Sequence, residues 1–270
     1  GFSPCDLAPN VQQTYIVAGQ QWTPRNSSRR RYGEMVTLKW GLAQSNNWIT
    51  AYLMSKLSPQ AFVTLLREYG FNNPDIHPSM SLCLGPCDLT VAEMVSAYTT
   101  FVNHGIRCAP LFVTKIEDNE GNVIAQFQPR MNEVISEESA NKMLYMLKGV
   151  VDGGTASRLR YKYNFTGEIA AKTGTTNNNS DAWFMGFTPT LVSGVWVGGD
   201  DRDIHFDSMQ MGQGATMALP IWANYMRRVF SDSRLGYSEG AVFDLPEGYN
   251  PCETSEIDVT DVNDIEEVFE

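Results

Sequence analysis

Lys172-Thr173-Gly174-Thr175-Thr176 ends a strand-like stretch over residues 168–175 and carries the sharpest local signal in the chain. At about 6% per residue type, a given tetrapeptide is expected about 0.004 times in this length, so chance explains Lys-Thr-Gly-Thr poorly. At a strand edge these residues suit a carboxylate. Lys172 brings a positive charge, the Thr173 and Thr175 hydroxyls donate hydrogen bonds, and Gly174 lets a substrate backbone approach closely. The Thr175 N–H could point at a developing oxyanion. The plainer alternative is an exposed Lys on a β-edge.

Working outward, residues 182–187 and 191–197 are strand-like, and Thr188-Pro189-Thr190 predicts a hairpin between them. Ile221, Trp222, Tyr225, Met226 and Val229 mark one face of a helix that would cover this sheet. Upstream, Ser136 caps a helix running through Val151, and the flexible loop Asp152-Gly153-Gly154-Thr155 follows. Residues 111–117 and 122–127 flank Asp118-Asn119-Glu120-Gly121, a second hairpin.

Residues 36–57 have helical spacing interrupted at Ser45-Asn46-Asn47, a poor helix interior, which predicts two helices joined by a polar turn. Ser58-Pro59 opens the next helix and Gly70 closes it. Thr90 with Glu93 is a capping box for a helix that stops at Gly105. Residues 1–34 read as irregular, with Pro4, Pro9, Gly19, Pro24 and Gly33 as punctuation. The expected fold class is α/β of the α+β kind, an antiparallel sheet covered by helices with an all-helical subdomain. That subdomain spans about 36–105 and the sheet subdomain about 106–230.

The composition fits this reading. With 270 residues, 43% apolar and 19% charged, the chain is neither disordered nor collagen-like nor a disulfide-stapled miniprotein. It has no run of 18 apolar residues and no signal-peptide pattern, and Gly1 reads as the start of a piece cut from something longer. The net charge of −11 is local: residues 1–230 carry 19 acids and 19 bases, whereas residues 231–270 carry 12 acids and one base. Residues 231–270 therefore read as an acidic C-terminal tail, solvated and mobile over 256–270. The neutral body is no nucleic-acid footprint, and Arg29-Arg30-Arg31 reads as a solvated loop.

Five cysteines, Cys5, Cys83, Cys87, Cys108 and Cys252, leave at least one unpaired. Cys83-x-x-x-Cys87 with His104-x-x-x-Cys108 is unlike a zinc knuckle, and buried thiols are the alternative. No metal or cofactor is expected.

Ser45-x-Asn47 ahead of Lys172-Thr173-Gly174 resembles the active-site set of penicillin-binding proteins and serine β-lactamases: S-x-x-K, S-x-N and K-T-G. Ser-x-Asn alone is worthless, since about one is expected by chance. Its place in a polar turn inside the helical part is what gives it weight. Asp181-Ala182-Trp183-Phe184-Met185-Gly186-Phe187-Thr188-Pro189 and Gly194-Val195-Trp196-Val197-Gly198 narrow the resemblance to class A (bifunctional) penicillin-binding proteins of the 1A type. Trp22-Thr23-Pro24-Arg25-Asn26, Val36-Thr37-Leu38, the stretch from Leu147 to Val151 with Gly154-Thr155-Ala156, and Ala218-Leu219-Pro220-Ile221-Trp222 are similar to the same family. The similarity covers about residues 1–245.

One feature departs from the family. Its nucleophile lies in S-x-x-K ahead of S-x-N, whereas the only Ser-x-x-Lys here is Ser139-Ala140-Asn141-Lys142, between the other two motifs. Ser139 reads as a helix-start residue, and the chain is expected to begin just downstream of its catalytic serine.

The resemblance implies a peptidoglycan D,D-transpeptidase acting on D-Ala-D-Ala stem peptides and acylated by β-lactams when complete. It also implies a parent anchored in the bacterial inner membrane, facing the periplasm, with a glycosyltransferase domain upstream. Ser45, Asn47 and Lys172 would be its catalytic set; Thr173, Gly174, Thr175 and Thr176 would bind substrate. A β-lactamase or D,D-carboxypeptidase on the same fold, or a non-catalytic peptidoglycan-binding scaffold module, are the alternatives.

Overall fold

The computed structural model describes residues 1–17 and 19–252. Strands β1 (Leu7–Pro9), β2 (Tyr15–Val17), β3 (Gln20–Trp22) and β4 (Met35–Thr37) open the chain. β1 pairs antiparallel with β4, and β2 with β3, so the segment read as irregular holds two small ladders. Strands of three residues are too short to display a period.

Helices α1 (Leu38–Ala43) and α2 (Asn47–Met54) follow, with Thr37 and Asn46 as their N-caps. The helix α3 (Pro59–Glu68) starts from Ser58, and α4 (Val91–Val102) starts from the Thr90–Glu93 capping box. Next come β5 (Ile106–Cys108), the hairpin β6 (Lys115–Glu117) and β7 (Val123–Gln126), and β8 (Met131–Glu133), which pairs back onto β5. Ser136 caps α5 (Glu137–Asp152), followed by the single turn α6 (Arg158–Tyr161). The main sheet is β9 (Ala170–Thr175), β10 (Asp181–Thr188) and β11 (Leu191–Gly198). The turn α7 (Met209–Gly212) and the long helix α8 (Gly214–Ser231) complete it.

The sheet is antiparallel in the order β11-β10-β9, which leaves β9 as an open edge. Its register sets Thr173 opposite Phe184 and Lys172 opposite Met185. Strand alternation then divides the side chains between two faces. Ala171, Ala182 and Phe184 pack against Leu219, Trp222 and Met226 of α8. Ala170 and Phe187 meet Leu144 and Leu147 of α5 and Tyr98 of α4 on the other side. Lys172 shares the parity of Ala170 and faces the helical side; Thr173 and Thr175 share that of Ala171.

Two expectations are corrected. On α8, Trp222, Met226 and Val229 are buried, but Ile221 is 51% and Tyr225 46% exposed. The buried stripe runs instead through Ala215, Ala218, Leu219 and Ala223, small residues that let the helix lie close to the sheet. The acidic tail also begins later than the charge count suggests. Phe243 is buried among α5 residues, its N–H donates to Glu168 Oε2 at 2.6 Å, and Cys252 is disulfide-bonded to Cys5. Residues 256–270, the most acidic stretch, lie outside the described residues.

Cys83, Cys87 and Cys108 are free thiols, and burial pushes Cys83 up to about 11. Among the described residues no group of three or more His, Cys, Asp or Glu is arranged to hold a metal ion, and His104 faces Glu137 at 3.0 Å.

Candidate active site

The polar turn and the Lys-Thr-Gly strand meet directly. Lys172 Nζ donates to Ser45 Oγ at 2.8 Å and to the carbonyl oxygen of its neighbour Thr173 at 2.8 Å. Ser45 holds a φ of 52°, the left-handed region that an L-residue enters at a cost. Burial lowers the Lys172 ammonium to about 8, because enclosure disfavours its charge. The pair is thus a hydroxyl held against a buried amine that gives up its proton more readily than an ordinary lysine.

Three asparagines fix the turn that presents Ser45. Asn46 Nδ2 donates to Asn10 Oδ1 at 2.8 Å, and its Oδ1 accepts from Asn26 Nδ2 at 3.1 Å and from the Trp48 and Ile49 N–H groups. Asn10 and Asn46 are buried, so each of these bonds satisfies an amide that water cannot reach. The loop from Pro24 to Asn26 is pinned by the same residues: Trp48 Nε1 donates to Pro24 O at 3.0 Å, and Asn26 Oδ1 accepts from the Asn47 N–H at 2.6 Å.

The remaining predicted residues take different positions. Asn47 Nδ2 donates to Arg25 O at 2.7 Å, so this amide holds the loop. Thr175 is exposed on the β9 edge, and its Oγ1 accepts from the Gly214 N–H at 3.0 Å, where α8 begins. A side chain at Gly214 would stand 2.6 Å from the Gly174 carbonyl oxygen, so close packing of helix on strand requires glycine there. Thr173 is buried, with its Oγ1 2.7 Å from Thr155 Oγ1. Thr176 lies at the start of the turn that follows β9. Its Oγ1 accepts from the Ser180 and Asp181 N–H groups, which closes the turn into β10.

Ser139 sits in the first turn of α5: its N–H donates to Ser136 Oγ at 3.3 Å, its Oγ accepts from Ser136 Oγ at 3.0 Å, and Lys142 pairs with Glu138. A small polar pocket of about 30 Å³ lies over Ser45, lined also by Gln44, Asn26, Ser28 and Arg30. Sequence reasoning passed over Asn10, Asn26 and Thr155 as site-building residues. Asn26 and Thr155 stand inside quoted family-like stretches, but nothing in those stretches signals which backbone or hydroxyl they would meet.

A family model described as the penicillin-binding protein transpeptidase domain matches residues 9–203. The chain belongs to this family. Penicillin-binding protein 1A of Aquifex aeolicus (strain VF5) is 36% identical over 211 residues, 78% of this chain and 28% of the relative. Penicillin-binding protein 1A of Neisseria meningitidis serogroup A is 34% identical over 236 residues, 85% of this chain and 28% of that protein. The crystal structure of Penicillin-Binding Protein 1A from Haemophilus influenzae superposes with a TM-score of 0.79 at 26% identity, covering 91% of this chain and 41% of that one.

The chain therefore spans about 28% of the length of these curated relatives. The name the relatives share agrees with the 1A type indicated by the motifs around the transpeptidase-domain strand. The transpeptidase fold, an antiparallel sheet carried with a helical subdomain, is the one seen here.

Proposed function

We propose that this chain forms part of a peptidoglycan D,D-transpeptidase, an acyltransferase of cell-wall synthesis whose site takes D-Ala-D-Ala stem peptides and β-lactams. The bond from Lys172 to Ser45 carries the reading, because it unites the Ser-x-Asn turn with the Lys-Thr-Gly strand. The nucleophile belongs to a Ser-x-x-Lys segment upstream of Gly1. Two observations support this: the relatives are much longer, and an apolar groove of about 490 Å³, lined by Phe2 and Pro4 among others, offers a further segment a place to pack. That groove continues between Leu53 and Met54 of α2 and Met143 and Met146 of α5.

In this scheme the upstream serine attacks the penultimate D-Ala carbonyl while the upstream lysine takes its proton. Ser45 passes a proton to the leaving D-alanine nitrogen, with Lys172 orienting it. Asn47, its Nδ2 already donating to Arg25 O, contributes its Oδ1 at the peptide amide. Thr173 and Thr175 hold the terminal carboxylate beside Gly174, and the Thr175 N–H faces the oxyanion. An amine of a neighbouring stem peptide then displaces the serine, leaving a cross-link. A β-lactam opens in the first step and stays on the serine.

The parent acts at the periplasmic face of the bacterial inner membrane through an anchor and a glycosyltransferase domain outside this chain. No helix among the described residues is long and apolar enough to cross a membrane.

Fluorescent penicillin with intact-mass detection tests the reading. A version extended upstream through Ser-x-x-Lys should gain one stoichiometric adduct, and the 270-residue chain none. An adduct on Ser45 or Ser139 of the chain itself would overturn it. Rapid turnover of a chromogenic cephalosporin would point to a β-lactamase, and absence of an upstream Ser-x-x-Lys to a non-catalytic module.

A further inference from the structure

Resting on that reading, we infer that Thr155 is a positioning residue for the carboxylate-binding edge, setting the direction in which the Thr173 hydroxyl donates. The two hydroxyl oxygens are 2.7 Å apart. Each threonine has one proton and can accept as well as donate. Thr173 shares its face of β9 with Thr175, which is exposed, so an anion resting on that edge meets Thr173 from the Thr175 side. A carboxylate only accepts. The Thr173 proton reaches it only while Thr155 donates to Thr173, and the two bonds in series polarise one another.

The backbone around Thr155 is built to hold that geometry. Its N–H donates to Ala43 O at 3.0 Å, two residues before Ser45, and Gln44 Nε2 donates to Gly153 O at 3.0 Å. A side chain at Gly154 would stand 2.3 Å from the same Ala43 oxygen, so only glycine lets the loop lie this close to the end of α1. The Ala156 N–H, bonded to Val150 O at 3.0 Å, closes the loop onto α5. The segment 153–156 thus ties the helix end that leads into Ser45 to the edge strand that carries Thr173. Sequence signals for the two motifs alone contain no such tie.

The test uses the protein extended through its Ser-x-x-Lys, assayed for acylation rate with benzylpenicillin and with its methyl ester, which lacks the anionic carboxylate. Thr155→Val keeps the shape and removes the hydroxyl. It should slow acylation by benzylpenicillin about tenfold and leave the ester rate within about twofold. Thr155→Ser should restore the rate, and Thr155→Val combined with Thr173→Val should be no slower than Thr173→Val alone. If Thr155→Val does not fold, Thr155→Ala carries the same expectation. Equal slowing of both substrates, or no slowing of either, would overturn the assignment. If the unsubstituted protein forms no adduct at all, the transpeptidase reading fails first and Thr155 falls with it.

Discussion

The Lys172 ammonium reaches Ser45 Oγ from one face of β9 while Thr173, the next residue, turns its hydroxyl to Thr155 on the other. A single edge strand therefore presents polar groups on both faces, Lys172 to the serine of the turn and Thr173 to the Thr155 hydroxyl. Strand alternation alone produces this division.

The Lys172 charge gives a pH prediction. Burial lowers it from 10.5 to about 8, so the folded chain binds fewer protons than the unfolded chain between those values. Stability contributed at this site should rise as pH climbs through that window, since the cost of a buried charge is relieved there. The difference in unfolding midpoint between the natural chain and Lys172→Met should shift in favour of the natural chain from pH 8 to pH 10. Acylation of the extended protein should decline over the same range as the ammonium is lost. A flat stability difference would show that the amine is solvated.

Ser45 should behave as a strained residue. At a φ of 52° glycine fits better than any L-residue. Ser45→Gly is expected to be more stable than Ser45→Ala by about 1 kcal/mol in urea unfolding, with both lacking the hydroxyl that Lys172 contacts. In the extended protein both should acylate at least about 100-fold more slowly than the parent. Equal stability of the two variants would mean the turn relaxes.

Asn46 combines a helix cap with a buried amide network. Asn46→Ala removes the cap on α2 and leaves Asn10 and Asn26 amides without their partner. A loss of about 2–4 kcal/mol is expected from denaturant midpoints, against no measurable change for the exposed Asn119→Ala. Similar values for the two would remove Asn46 from the scaffold of the site.

Glu168 anchors the segment that returns after α8. It is enclosed, which by itself raises its pKa, yet bonds from Lys148 and the Phe243 N–H hold the carboxyl below its usual value. A lowered acid stabilises the fold above its unfolded pKa and ceases to do so as pH falls through the folded one. Glu168→Gln should destabilise by about 1–3 kcal/mol at pH 7, with the gap closing below pH 4. A gap independent of pH would mean that packing of Phe243 alone holds the segment.

Much of the fold was legible because local chemistry and tertiary structure agree. The Thr90–Glu93 box, Ser58-Pro59 and Ser136 each start the helix that the sequence predicts. The turn at Ser45 and the strand at Lys172 were legible because polar residues interrupt one apolar pattern and end another. Thr155, Asn10 and Asn26 were not, because their partners lie at least 18 positions away and their residue types are ordinary in loops. The stripe on α8 misled because alanines pack tightly without standing out in a hydropathy pattern. Phe243 and Cys252 were hidden by the acids around them.

The bond between Cys5 and Cys252 makes the polypeptide between them a covalent ring. Cutting any one peptide bond inside it leaves a single molecule, with the two new ends held by everything packed around the gap. A protease nick at the exposed turn Asp118-Asn119-Glu120-Gly121 should therefore leave one band on a non-reducing gel and two after reduction. The disulfide already closes this ring, so the same turn could also serve as the opening of a permuted chain. Such a chain would begin in one hairpin strand and finish in the other, with Lys172 in its first half and Ser45 in its second.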